Sequence, residues 1–215
     1  MLLRALLLAC LPLPALACDA PVCVVDPDTL TLTQLITFDD MPSGWDPGHQ
    51  VDELLSFPGA TFAERFAGQT LGANGDFDTV TGAALSPLTP LPGAPGQTFS
   101  IVNLYGTNIL NGYGPGGFPR VNAQGEGAIA VMFNADQPAL AFQLLGGEAG
   151  FAMVQFLRRD GSVIHDLRID TSGTVSLGFW RKGGEADIAG IVITNKDPQG
   201  LALDNLRFGP PPQLG

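Results

Sequence analysis

The sequence is poor in positive charge, in histidine and in cysteine, and each shortage closes off a class of function. Lysine and arginine total 10 against 21 acidic residues, for a net charge of −11. The basic residues are scattered, so the cationic patch that neutralises phosphates is missing and nucleic acid is not an expected partner. The two histidines, His49 and His165, do not form a His-x-x-x-His zinc pattern. There is no Gly-x-Ser-x-Gly nucleophile elbow. Ser162, His165 and Asp166 are close in sequence, but they lie on what reads as one hairpin, an arrangement that rarely builds a catalytic triad. No heptad, long amphipathic helix or fixed-period repeat runs through the chain, and nothing after the N-terminus is long and apolar enough to span a membrane.

The scarce cysteines are informative by position. They are Cys10, Cys18 and Cys23. Met1 to Ala17 carries one early charge, Arg4, then an apolar run from Ala5 to Leu13 and a small-residue end, the pattern of a secretory signal peptide cleaved after Ala17. The same site, Ala15-Leu16-Ala17-Cys18, resembles a bacterial lipobox with alanine where leucine is usual, which leaves a lipoprotein anchored at Cys18 as the alternative to a secreted or periplasmic protein. Cleavage removes Cys10. Cys18 and Cys23 then form an even pair in an oxidising compartment, spaced to close a small disulfide ring. Lipidation would instead leave Cys23 as a free thiol. So small a ring restrains the unfolded chain only modestly.

What the chain does have is glycine, proline and apolar residues. Gly (28) and Pro (18) punctuate a sequence that is 45% apolar and only 14% charged. That supports a core and argues against disorder. Short strands joined by Gly/Pro turns fit better than helices. Strand character is read at Leu30–Phe38, at Ala60–Phe66 (where Phe62, Glu64 and Phe66 alternate) and at Thr98–Leu104. It becomes regular over 127–134, 139–145, 151–157, 163–169, 174–181, 188–194 and 201–208. Asp160-Gly161 between two β segments signals a hairpin. Val51–Leu55 is read as a short helix, Gly68–Pro95 as a long surface excursion, and Asn108–Gly117 as a loop. The expected organisation is a signal peptide at 1–17, an N-terminal segment at 18–34, one antiparallel β-sandwich of jelly-roll type at 35–208, and a tail at 209–215.

Candidate chemistry lies in carboxylates and aromatics. Asp39 and Asp40 end the first strand and Asp204 lies on the last. If the two ends of the chain meet, these like charges are relieved by a shared hard cation such as calcium. Asn74-Gly75-Asp76-Phe77-Asp78 has the front of a calcium loop, but Thr79 and Leu85 stand where that loop needs glycine and glutamate, so it reads as an Asx-rich turn. Trp45, Tyr105, Tyr113 and Phe118 are loop aromatics suited to stacking on sugar rings; Trp180 ends a strand and reads as core. A glycosidase needs two carboxylates across a cleft, and Glu126 and Glu148, each beside glycine, are the candidates.

Phe38-Asp39-Asp40 with its Pro-x-Gly turn, Arg159-Asp160-Gly161-Ser162, Ile188-Ala-Gly-Ile-Val-Ile193 and Leu203-Asp-Asn-Leu-Arg-Phe208 together resemble bacterial secreted jelly-roll proteins. These are lectin-like or carbohydrate-binding-module-like sandwiches of the galactose-binding type, some of them exosortase-sorted, here without the sorting tail. The resemblance covers roughly 35–208 through short motifs. It implies glycan or matrix binding without catalysis, and a structural calcium held by the acidic ends. Two alternatives stand beside it, a structural or adhesive envelope or biofilm protein and a glycan-active enzyme. Local function is expected in the loops around 45, 74–78 and 105–118. Oligomeric state is not legible.

Overall fold

The structure, a computed structural model, describes residues 18–209. The signal peptide read at 1–17 and residues 210–215 of the tail lie outside them. The described chain is all-β, with three short 3-10 turns and sixteen strands. In chain order the strands are β1 (Val22–Val25), β2 (Gln34–Ile36), β3 (His49–Val51), β4 (Leu55–Phe57), β5 (Ala60–Ala63), β6 (Arg65–Phe66), β7 (Thr70–Asn74) and β8 (Phe77–Thr81). They continue with β9 (Pro90–Leu91), β10 (Phe99–Leu104), β11 (Thr107–Gly112), β12 (Ile129–Gln137), β13 (Ala139–Leu157), β14 (Val163–Arg181), β15 (Ile188–Asn195) and β16 (Ala202–Phe208). The main sheet runs β3–β10–β11–β16–β13–β15–β12–β5–β4, with β14 on β13, β1 on β14 and β2 on β16. All its ladders between strands are antiparallel.

The long hairpin β13–β14 turns this path into a sandwich. The first half of β13 carries β16 on its free edge, and the second half carries β15. Register places Phe156 opposite His165 and Phe179 opposite Leu140, yet the Phe156 and Phe179 rings lie 5.3 Å apart. A flat hairpin would keep them at opposite ends, so the hairpin folds over itself. Phe133 of β12 meets Phe208 of β16 across the same interior at 5.1 Å. The Asp160-Gly161 turn closes the hairpin as expected, with Gly161 at φ 83° and the Ser162 N–H donating to Asp160 Oδ1.

The apolar run at 129–133 is continuous because β12 is covered on both faces. Ile129, Val131 and Phe133 join the main core, while Ala130 packs with Phe66, Leu88, Leu157 and Val192 in a second cluster. That second cluster lies under the excursion after β5, whose pieces pair as β6–β9 and β7–β8. The excursion's brief extended pieces therefore pair with each other and cover the outer face.

Three sequence readings are corrected. Residues 51–55 form no helix but lie in and between β3 and β4. Asn108–Gly117 is not all loop, because Thr107–Gly112 is a buried strand beside β10 and β16. Its asparagines disguised it. Asn108 is buried because its Nδ2 donates at 3.2 Å to the carbonyls of Phe38, Asp39 and Met41. The separate strands read at 139–145 and 151–157, and at 163–169 and 174–181, are continuous through bulges. The Cys18–Cys23 disulfide is formed.

The bend in β13 is built on glycine and one carboxylate. A Cβ at Gly147 would come within 2.9 Å of Thr171 Cβ, and one at Gly150 would overlap Asp197 and Lys196 backbone atoms. Asp197 is wholly buried there. It accepts from the N–H groups of Glu148 (3.0 Å), Gly150 (3.1 Å) and Gln199 (3.2 Å) and from the Thr171 hydroxyl (2.7 Å). Burial pushes this carboxyl up, and the four donors together outweigh it and hold it below the usual range. Replacing Asp197 by Asn is expected to lower the unfolding free energy at neutral pH by about 2–3 kcal/mol. The gap to the wild type should close as pH falls through the depressed carboxyl range, where the native group protonates as well. Chemical denaturation at a series of pH values reads both effects, and a constant gap would contradict the assignment.

Candidate functional site

Four chain segments meet around a cleft of about 870 Å³ at one end of the sandwich. Asp46 comes from the loop before β3, and Asp76 and Phe77 from the β7–β8 turn. Val121 and Asn122 come from the 3-10 turn after β11, and Lys196, Pro198 and Gln199 from the chain leaving β15. Glu126 also lines the cleft. Its volume is in the usual range for ligand pockets.

Each wall is tied down. The Lys196 ammonium donates to the Asn74 carbonyl at 3.0 Å and sits 4.6 Å above the Phe77 ring, fixing the hairpin tip. Gln124 donates to Asp46 Oδ1 at 3.2 Å and accepts from the Tyr113 hydroxyl at 3.4 Å. Asp78 fastens the hairpin stem, since its N–H donates to the Glu126 carbonyl and its Oδ2 accepts from the Ala128 N–H, both at 3.0 Å. The Asp197 clasp holds the chain that supplies Lys196 to Gln199.

Glu126 is 5% exposed, and its Oε2 has no hydrogen-bond partner. Burial, with the charges of Asp76 and Asp197 adding, raises its carboxyl to about 8. It is therefore mainly protonated at neutral pH and offers both a donor and an acceptor. Nearby, Asp78 is raised to about 6 by burial. Glu64 is fully buried; it accepts from Arg65 at 3.3 Å through Oε2, while its Oε1 has no partner. Burial, with the Asp78 charge adding and Arg65 opposing, raises Glu64 to about 8.

The acidic ends meet elsewhere. The Thr107 hydroxyl lies 3.3 Å from Asp39 Oδ1 and 3.5 Å from Asp204 Oδ2, and the Asn108 N–H donates to Asp39 at 2.9 Å. Asp204 is buried, and burial with the Asp39 charge raises its carboxyl to about 6. Asp40 is exposed in the turn that follows. Among the described residues no group of three or more His, Cys, Asp or Glu side chains is gathered to hold a metal. This pair and the cleft adjoin opposite ends of β11.

The aromatic candidates are not brought to one face. Tyr105 is 93% exposed at the tip of the β10–β11 turn, whereas Tyr113 is buried beyond the far end of β11, about 25 Å of strand away. Tyr113 packs edge-on against Phe118 at 5.6 Å and presents no ring face to a surface ligand. Trp45 is 79% exposed beside the cleft residue Asp46. Trp180 is part-exposed at the mouth of a second groove with Val24 and the disulfide, not core. Glu148 is exposed and accepts from Gln199.

Sequence reasoning pointed to the loops at 45 and 74–78 but missed Asn122, Lys196 and Gln199, which occupy ordinary turn sequence. Glu64 carried a usable signal, since it alternates with Phe62 and Phe66 and all three are buried, although the chain bends at Glu64, so that Phe62 enters the main core and Phe66 the second cluster.

No protein-family model matches the chain, and no curated protein or solved structure matches it significantly. No helix among the described residues is long and apolar enough to cross a membrane.

The buried Glu64 carboxyl has a stability signature. Its folded value lies above the unfolded one of 4.5, so its contribution is complete at low pH and lost as pH rises toward about 8. Glu64→Gln is expected to remove that part of the decline, giving a shallower fall in unfolding free energy over this interval. Parallel curves for the two proteins would show that Glu64 ionises freely in the fold.

Proposed function

We propose that the chain is a secreted, non-catalytic β-sandwich module of jelly-roll, carbohydrate-binding-module-like type that binds an extracellular glycan or matrix component in the Glu126 cleft. The observation that carries this reading is the cleft itself, where four segments bring amides, carboxyls and the apolar surfaces of Phe77, Val121 and Pro198 together. Sugars present the same mixture, hydroxyl rims around apolar C–H faces. Trp45, exposed and next in sequence to the lining residue Asp46, is the aromatic proposed to stack on such a face.

Calcium belongs to this proposal as a structural ion. Asp39 and Asp204, which meet across the Thr107 hydroxyl, supply the carboxylate oxygens that a hard cation prefers, while the carbonyls of the 38–41 turn are engaged by Asn108. An ion there would supply positive charge between two carboxylates that otherwise repel across Thr107. Its place at the chain ends, away from the cleft, gives it a role in stability.

A structural or adhesive envelope protein is the second reading, favoured by the groove of about 880 Å³ where Val24 and Trp180 are exposed beside the disulfide.

On a glycan array, the full mature chain should bind defined glycans, and Trp45→Ala should weaken the signal about tenfold, the order expected for losing one aromatic contact. An array with no binding favours the adhesive reading. Calcium at roughly 100 times its dissociation constant should raise the melting temperature by about 5–10 °C over EDTA, and Asp204→Asn should abolish the rise. Equal melting temperatures in calcium and EDTA would remove the ion from the account.

A further inference from the structure

We propose that the cleft selects uncharged, hydroxyl-rich sugar residues and rejects acidic polysaccharide, with Glu126 as the residue that reads them. This rests on the glycan-binding reading and narrows its ligand class.

Size and spacing come first. A cleft of about 870 Å³ is far larger than an ion, and among the described residues no three acidic side chains are gathered closely enough to hold a metal. The polar groups are spread along the walls, as suits a ligand with several separated hydroxyls. Charge comes second. Asp46 and Asp76 are exposed in the lining, and Asp197 lies behind it. Among the described lining residues Lys196 alone is basic, and its ammonium is already engaged by the Asn74 carbonyl and the Phe77 ring. A uronate or sulfate entering here meets the carboxylates of Asp46 and Asp76, which outnumber the single Lys196 ammonium, on a chain of net charge −11.

Glu126 supplies the recognition. It lines the cleft and is more than nine-tenths buried, and its Oε2 is both closed to solvent and without a partner within the protein, so a ligand hydroxyl reaches it only as the cleft wall gives way. A ligand hydroxyl is the complement to a neutral carboxyl, since each donates once and accepts once. The groups around Glu126 are Asp76 from the β7–β8 turn, Asp78 from β8, whose N–H donates to the Glu126 carbonyl and whose own carboxyl burial raises to about 6, Asp197 and Lys196 from the end of β15, Asp46 through Gln124, and Tyr113 from the end of β11. Burial pushes the Tyr113 hydroxyl up to about 12, so it stays neutral across the working range. With Glu126 raised to about 8, it donates at mildly acid pH and loses its proton on the alkaline side.

The test is calorimetric titration of the full mature chain at about pH 6 and about pH 9. The neutral probes are cellohexaose, xylohexaose, mannohexaose and N-acetylchitohexaose, and the acidic ones are hexagalacturonate and hexaguluronate. Wild type, Glu126→Gln and Glu126→Ala are compared, each with its melting temperature to verify folding. The wild type should bind at least one neutral probe at pH 6 and neither acidic one. Its affinity should fall about tenfold at pH 9, following the fraction still protonated. Glu126→Gln, whose amide keeps a donor and an acceptor, should bind with no pH dependence, and Glu126→Ala should bind at least about tenfold more weakly at pH 6. Tighter binding of an acidic probe would overturn the selectivity while leaving glycan binding in place. An unchanged pH dependence in Glu126→Gln, or full affinity in Glu126→Ala, would overturn the role of Glu126. No binding of any probe at either pH would overturn both this inference and the reading beneath it.

Discussion

The buried carboxylate of Asp197 ties together the parts on which the rest of the structure depends. Its donors come from the bend of β13, from β14 and from the chain that follows β15. Without the bend the long hairpin could not contribute to both layers, and the Phe156–Phe179 contact across the core would be lost. The same carboxylate sets the path of residues 196–199, which form one wall of the cleft. A single charge, stabilised by enough donors to remain ionised while buried, thus links the topology of the sandwich to the geometry of its candidate site.

The acidic residues divide by what surrounds them. Asp197 has four donors and sits below its ordinary range. Asp204 has fewer and shares Thr107 with Asp39, so it sits above. Glu64 and Glu126 each leave one oxygen unpartnered and rise furthest. The same functional group therefore serves as a structural clasp, a prospective cation ligand and a neutral hydrogen-bonding group. The number of backbone and hydroxyl donors within reach decides which. The ion proposed at one end of β11 and the ligand proposed for the cleft at the other are compatible, because neither draws on the other's residues.

Much of the β architecture was legible in the sequence. Alternation and turn residues located most strands, the Asp160-Gly161 hairpin was placed correctly, and Asp39 does approach Asp204. The failures share a cause in long-range contact. Asn108 and Asn111 look like loop residues, yet Asn108 is satisfied by carbonyls of the turn after β2, distant in sequence. Gly146-Gly147 reads as a break between strands because nothing local announces the Asp197 carboxylate that, with Thr171, fills the space Gly147 leaves. Asp197 lies in Asn195-Lys-Asp-Pro-Gln-Gly200, a sequence that signals only a turn; its importance comes from partners 26 and 49 residues away. Tyr113 read as a surface aromatic among glycines, but those glycines let neighbouring backbone close over it.

The central claim is that ligand binding occurs at the cleft that the Asp197 clasp holds in shape. Amide-resolved NMR titration of the mature chain with neutral hexasaccharides tests it most directly. The account predicts perturbations concentrated at Asp46, Asp76–Phe77, Val121–Glu126 and Lys196–Gln199. Perturbations confined to the groove around Val24 and Trp180, or to the Tyr105 turn, would contradict it.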